Sequence, residues 1–140
     1  MTPRITPARL AHAAENLVGA RFRLHGRDPA TGLDCIGLLV AAMARGGQHI
    51  AVPTGYPLRL RDLTQWLPDP AACGFAKARE PFRPGDVIML QPGPAQFHLA
   101  IADRALGWIH AHAGLRRVVR EAALPAGTIT AHWRLRRIRK

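Results

Sequence analysis

Two kinds of residue in this chain stand where covalent chemistry would need them. Cys35 opens the run Cys35-Ile36-Gly37-Leu38-Leu39-Val40-Ala41-Ala42-Met43-Ala44-Arg45, which closes on Gly46-Gly47. The run is apolar almost all round, and a helix without a polar face is a buried helix. The most hydrophobic helix of the chain therefore begins with a thiol, and Asp34 is placed to cap it. A helix N-terminus favours thiolate and offers N–H groups to an oxyanion. Taken alone, Cys35 reads more readily as a buried structural cysteine.

Histidines supply the other half. His98 lies in Phe97-His98-Leu99-Ala100-Ile101-Ala102, where alternation predicts a strand with His98, Ala100 and Ala102 on one face. Trp108 to His112 predicts the next strand, carrying His110 and His112. A hairpin centred on Arg104 sets His98 opposite His110, with Cβ atoms about 5 Å apart. One centred on Ala105 sets His98 opposite His112, and alternation does not separate the two. In either register one imidazole can orient another that faces a thiol, the nucleophile, base and orienter of acyl transfer. Cys35, His98, His110 and His112 are also zinc-type ligands. No closely spaced cysteine pair and no HExxH motif accompanies them, so neither a metal nor another cofactor is expected. Cys73 sits in a proline-rich stretch without periodicity and reads as a bystander.

The elements that must position these groups follow from the pattern. Thr6-Pro7 starts a helix, Leu10, Ala13, Ala14, Leu17 and Val18 continue it, and Gly19 is expected to end it. A turn-rich loop, 26–32, leads to the Cys35 helix. Residues 48–82 are broken by Pro53, Pro57, Pro68, Pro70 and Pro81, with a short helix expected around Leu60 to Leu67. After Pro84-Gly85 come five expected strands: Asp86 to Leu90, Phe97 to Ala102, Trp108 to His112, Arg117 to Arg120, and Ile129 to Arg136, with a turn at Pro92-Gly93-Pro94. The last strand has one apolar and one largely basic face. Helices first and hairpins later predict an α+β domain, with the buried Cys35 helix on an antiparallel sheet. The 140 residues suit one domain, 1–140, without internal repeats.

Twenty cationic residues against 9 acidic ones give a net charge of +11, which favours anionic partners without choosing among them. Two cysteines make no disulfide framework and read as reduced thiols. The first residues lack the apolar core of a signal peptide, and no stretch approaches the roughly 20 apolar residues of a membrane span. Synthesis in the cytoplasm without a signal peptide, and no membrane span, are the expectations.

At these residues the sequence resembles the NlpC family of papain-like cell-wall peptidases. Gly32-Leu33-Asp34-Cys35-Ile36-Gly37-Leu38-Leu39 is similar to the nucleophile segment, and Arg83-Pro84-Gly85-Asp86-Val87-Ile88 to the start of the first core strand. Phe97-His98-Leu99-Ala100-Ile101 is similar to the base-bearing strand, and Trp108-Ile109-His110-Ala111 to the strand of the third polar residue. The resemblance runs from about Arg21 to Val119, and its usual hairpin spacing favours His110 over His112 as orienter. It implies a papain-like α+β fold and hydrolysis of amides in peptidoglycan stem peptides, commonly between D-glutamate and the following diamino acid. It further implies that Asp34 helps hold the substrate's amine. Two positions depart from the pattern. Ile36 stands where many members have serine, and Phe22 where many have a tyrosine reaching the active site. With the short catalytic segment, Ile36 resembles the branch found in phage tails and gene transfer agents. That implies a virion-associated enzyme that opens the wall locally in the periplasm, with other tail proteins as partners. Competing readings are a weakly active tail-tip or hub protein of the same fold, and a related amidase or acyltransferase. Nucleic-acid binding through Arg134 to Lys140 has no aromatic stacking platform or known motif behind it.

Overall fold

Thr6 and Pro7 begin the first helix as their chemistry requires. Thr6 Oγ1 accepts from the Arg9 N–H at 3.2 Å, and proline occupies the first turn of α1 (Pro7–Glu15). This computed structural model describes residues 5–52, 54, 69–93 and 96–136. The regular helix stops before the expected Gly19. Leu17 and Val18 donate instead to the carbonyls of Ala14 and Glu15, three residues back, so the last turn tightens. Gly19, at φ +95°, then turns the chain so that its N–H reaches the Val118 carbonyl at 2.8 Å.

The second helix, α2 (Cys35–Arg45), has the expected bounds, with Asp34 as N-cap and Gly46 as C-cap. Ile36, Leu38, Leu39, Ala42 and Met43 are buried, as an all-apolar helix must be. A two-stranded ladder, β1 (Arg27–Asp28) with β2 (Gly32–Leu33), organises the loop before it.

The main sheet comprises β3 (Phe75–Lys77), β4 (Val87–Gln91), β5 (His98–Ala102), β6 (Trp108–His112), β7 (Arg117–Glu121) and β8 (Thr128–Leu135). It is antiparallel, in the order β3-β8-β4-β5-β6-β7. The five expected strands are present, and β3 is an addition that three residues within a proline-broken stretch did not announce. The helix expected near Leu60 to Leu67 and part of the turn at Pro94 lie outside the described residues, as does the end of the basic tail beyond Arg136.

Both faces of the central strands are covered. Val87, Met89, Leu99, Ile101, Ile109 and Ala111 join the core formed with α1 and α2. Ile88, Leu90, Ala100, Ala102 and Trp108 form a second cluster on the other face, covered by Phe82, whose ring meets Trp108 edge-on at 5.0 Å. That double burial is why these strands read as nearly continuous apolar runs.

The basic face expected for the last strand is neutralised where it matters. Asp86 is fully buried and accepts from Arg134 Nε at 2.7 Å and Nη2 at 2.8 Å, from the Arg83 N–H at 3.0 Å, and lies 2.6 Å from His132 Nε2. The Pro84-Gly85-Asp86 turn thus starts β4 and locks β8 to it. Glu15 holds Arg104 at the tip of the β5–β6 hairpin, with 2.8 Å between Oε1 and Nη2, tying α1 to that turn. Among the described residues no helix is long and apolar enough to cross a membrane, and Cys35 and Cys73 are both free thiols.

Candidate active site

Cys35 sits where the sheet opens. Along β5, alternate backbone groups point to opposite neighbours: the Ala102 N–H donates to Asp86 O, while the Asp103 N–H donates to Gly107 O. Leu99 shares the parity of Asp103, so its N–H points toward β6. The β5–β6 ladder, however, pairs Ile101 with Ile109 and Ala102 with Trp108 and goes no further toward His98. The Leu99 N–H is directed to the Cys35 sulfur instead. The thiol at the tip of α2 thus occupies the split between two strands and keeps some solvent access.

The loop before α2 clasps its first turn. Asp34 Oδ1 accepts from the Gly37 N–H at 2.7 Å and from Arg27 Nη1 at 3.1 Å, and Oδ2 accepts from the His25 N–H at 2.8 Å. Asp34 is 3% exposed, so its carboxylate faces protein. Gly37 has a packing reason of its own, because a Cβ there would collide with the Gly26 carbonyl. Phe22 lies on the extended segment that bridges to Leu33, two residues before Cys35, and packs against the core.

The hairpin register resolves the alternatives left by alternation, with a twist. The pairs Ile101–Ile109 and Ala102–Trp108 centre it on Ala105, so the expectation of a centre at Arg104 that would set His98 squarely across from His110 does not hold. Yet His98 and His110 do meet, diagonally: Nε2 of His98 is 2.5 Å from Nδ1 of His110, with the rings edge-to-face at 4.7 Å. Ala100, lying between them on that face, is small enough to let the ring lean across. His112 is turned to another task, its Nδ1 accepting from the Leu115 N–H at 3.0 Å. Its ring stands 5.7 Å from that of His110. Beyond His110, Nε2 lies 3.2 Å from Glu121 Oε1. The direction is off line for a well-formed hydrogen bond, so the attraction is electrostatic and the buried Nε2 lacks a good acceptor.

The titration of the pair differs from the helix-terminus expectation. Burial, and then the charge of Asp34, push the Cys35 thiol up to about 11, against the lowering effect of the Leu99, Ile36 and Cys35 N–H groups. Burial, and then His110 and His112, pull His98 down to about 4. Burial also lowers His110, against the raising effect of Glu121. The resting pair is therefore neutral thiol and neutral imidazole, because desolvation outweighs the helix dipole. Among the described residues no hydrogen bond joins the thiol to an imidazole. His98 Nε2 is engaged by His110, so Nδ1 is the ring nitrogen that this contact leaves open. Among the described residues no group of three or more His, Cys, Asp and Glu side chains is arranged to hold a metal ion.

No family model matches the chain, and no curated protein matches it. Solved structures do. NlpC1 from Trichomonas vaginalis superposes with a TM-score of 0.66 at 18% identity, over 92% of this chain and 44% of that one. The fold is NlpC-like. NlpC2 from the same organism gives a TM-score of 0.60 at 16% identity, over 92% of this chain and 46% of its own. The chain spans less than half the length of either neighbour. Within this NlpC-like fold the sequence pointed to Cys35, Asp34, His98, His110, His112 and Phe22. The structure brings His98 and His110 into contact and sets Cys35 against the backbone of the residue after His98. Sequence reasoning missed Glu121 and the Leu99 N–H. No motif marks either: one acts across a strand pair, the other through backbone.

Proposed function

We propose that the chain is a cysteine peptidase of bacterial cell walls, hydrolysing amide bonds of peptidoglycan stem peptides. The observation that carries this reading is a helix-tip thiol set beside the backbone of Leu99, the residue that follows His98 of the His98–His110 pair. A likeness of fold to NlpC proteins supports the choice of substrate class. Cys35 attacks the amide carbonyl as His98 Nδ1 takes the thiol proton, so that a carbon–sulfur bond forms. The Cys35 N–H at the helix tip stabilises the oxyanion. His98 then returns the proton to the leaving amine, and water, deprotonated by the same ring, releases the acyl group. His110 orients His98. The bond between D-glutamate and the following diamino acid is the proposed target. Phe22 lines the approach, Asp34 sets the loop that receives the substrate's amine, and His112 borders the site. The proposed setting is a phage tail or gene transfer agent, where local wall opening would accompany DNA delivery.

The test is digestion of purified wall with the protein and with Cys35→Ala. Release of cleaved stem peptides by the first and not the second is expected. Equal release by both would sink the assignment. One observation favours a second reading, a structural tail component with little activity: the thiol is held above its ordinary range. Stable assembly with tail proteins, together with a Cys35 inert to alkylation even above pH 9, would favour that reading.

A further inference from the structure

We propose that Glu121 is a positioning residue that sets the tautomers of His110 and, through it, of His98. The inference rests on the reading of Cys35 and His98 as nucleophile and base, and adds a fourth member to that line.

Glu121 stands on β7 opposite Trp108, while His110 is opposite Val119, so Glu121 reaches His110 along the diagonal on the same face of the sheet. Its Oε1 is 3.2 Å from His110 Nε2, an atom buried in a side chain that is only 4% exposed. The negative carboxylate, although off line for a hydrogen bond, attracts an N–H and repels a lone pair, so it favours the His110 tautomer that carries its proton on Nε2. Nδ1 of His110 then bears a lone pair. The 2.5 Å contact from that atom to His98 Nε2 needs one proton, which His98 must supply. His98 is thereby held with hydrogen on Nε2 and a lone pair on Nδ1, the form a base facing a thiol requires. Without Glu121, His110 can carry hydrogen on Nδ1 instead. The contact then survives with His98 as acceptor, but its Nδ1 is protonated and has no lone pair with which to take a thiol proton. The geometry at the nucleophile would look unchanged while the chemistry stalled.

The Glu121 side chain is 42% exposed, so its removal leaves the core intact. Solvent also weakens its hold, so the expected loss is about tenfold, the low end of what carboxylate partners supply to metal-bound histidines. The experiment is long-range 15N–1H spectroscopy of histidine-labelled protein at neutral pH, paired with wall-peptide kinetics. In the unaltered protein both His110 and His98 are expected with hydrogen on Nε2. In Glu121→Ala, His110 and His98 are expected to become tautomer mixtures, and kcat to fall about tenfold with KM little changed. Glu121→Gln keeps an acceptor oxygen and should restore most of both signals. Unaltered His98 spectra in Glu121→Ala, or a native His110 protonated on Nδ1, would overturn the proposal. Because the spectra need no substrate, a protein that cleaves no wall peptide would fail the function reading while the tautomers still decided the role of Glu121.

Discussion

Replacing Asp34 by asparagine should push stability and thiol reactivity in opposite directions. The asparagine oxygen can keep the cap on the Gly37 N–H, which donates at 2.7 Å. Its amide nitrogen then faces the His25 N–H, which now donates to Oδ2 at 2.8 Å. Two donors confront each other in a buried place, at a cost of about 1–3 kcal/mol. The Arg27 contact loses its charge assistance; with its side chain 22% exposed, Arg27 turns partly to water, so that loss adds only about 0.5 kcal/mol. A total of about 1.5–3.5 kcal/mol corresponds to a Tm lower by roughly 5–12 °C for a chain of this size. The thiol responds the other way. The charge of Asp34 is among the causes that hold Cys35 up to about 11, so removing it lowers the thiol and enlarges the thiolate fraction. Every unit of lowering speeds alkylation at pH 8 by about tenfold. Thermal unfolding by circular dichroism and iodoacetamide labelling of Cys35, in a Cys73→Ser background, read the two effects. An unchanged Tm, or slower labelling in the variant, would refute the reasoning. If Asp34 also receives the substrate's amine, the variant's KM rises as well.

Other outcomes follow from the same structure. Asp86→Ala strands the Arg134 guanidinium and the Arg83 N–H, and should cost about 3 kcal/mol in denaturant unfolding, the low end for a broken buried pair because Arg134 is 24% exposed. Burial raises Asp86, but Arg134, the Arg83 N–H and His132 outweigh it and the net direction is down. Its stabilisation is therefore complete above the ordinary carboxylate range and is lost as pH falls through the lower folded value, a slope that Asp86→Ala should remove. For His98, held down to about 4 in the fold, unfolding takes up a proton between its ordinary value near 6.5 and about 4. Stability should thus decline as pH falls through that window, and His98→Ala should flatten the decline in a pH series of melts. Gly37→Ala drives a methyl into the Gly26 carbonyl. It should therefore lower Tm, where an ordinary helix Gly→Ala raises it by stabilising about 0.5–1 kcal/mol.

The site was legible in the sequence wherever one element carries its own signal. An apolar run between Asp34 and Gly46 fixes both ends of α2, and alternation places His98, His110 and His112 on one face. What stayed hidden depends on how strands are laid beside each other. Alternation has the same parity for a centre at Arg104 or at Ala105, and the diagonal reach of His98 to His110 depends on Ala100 being small and on the ladder opening. The helix-dipole argument gave Cys35 as activated because it counted the charge at the helix tip and not the desolvation around it. Glu121 and the Asp86–Arg134 pair join residues far apart in sequence, and no local pattern announces such partners. β3 is too short for its alternation to show.

The opening between β5 and β6 gives this protein an internal reporter. The amide of Leu99, beyond the end of the β5–β6 ladder, lies where it lowers the titration of the Cys35 sulfur. Its proton resonance should therefore shift whenever that sulfur is deprotonated, alkylated or acylated, while the neighbouring amides of Ile101 and Ala102, held within ladders, stay nearly still. Changes at the sulfur could thus be followed from the backbone, without a label on the thiol.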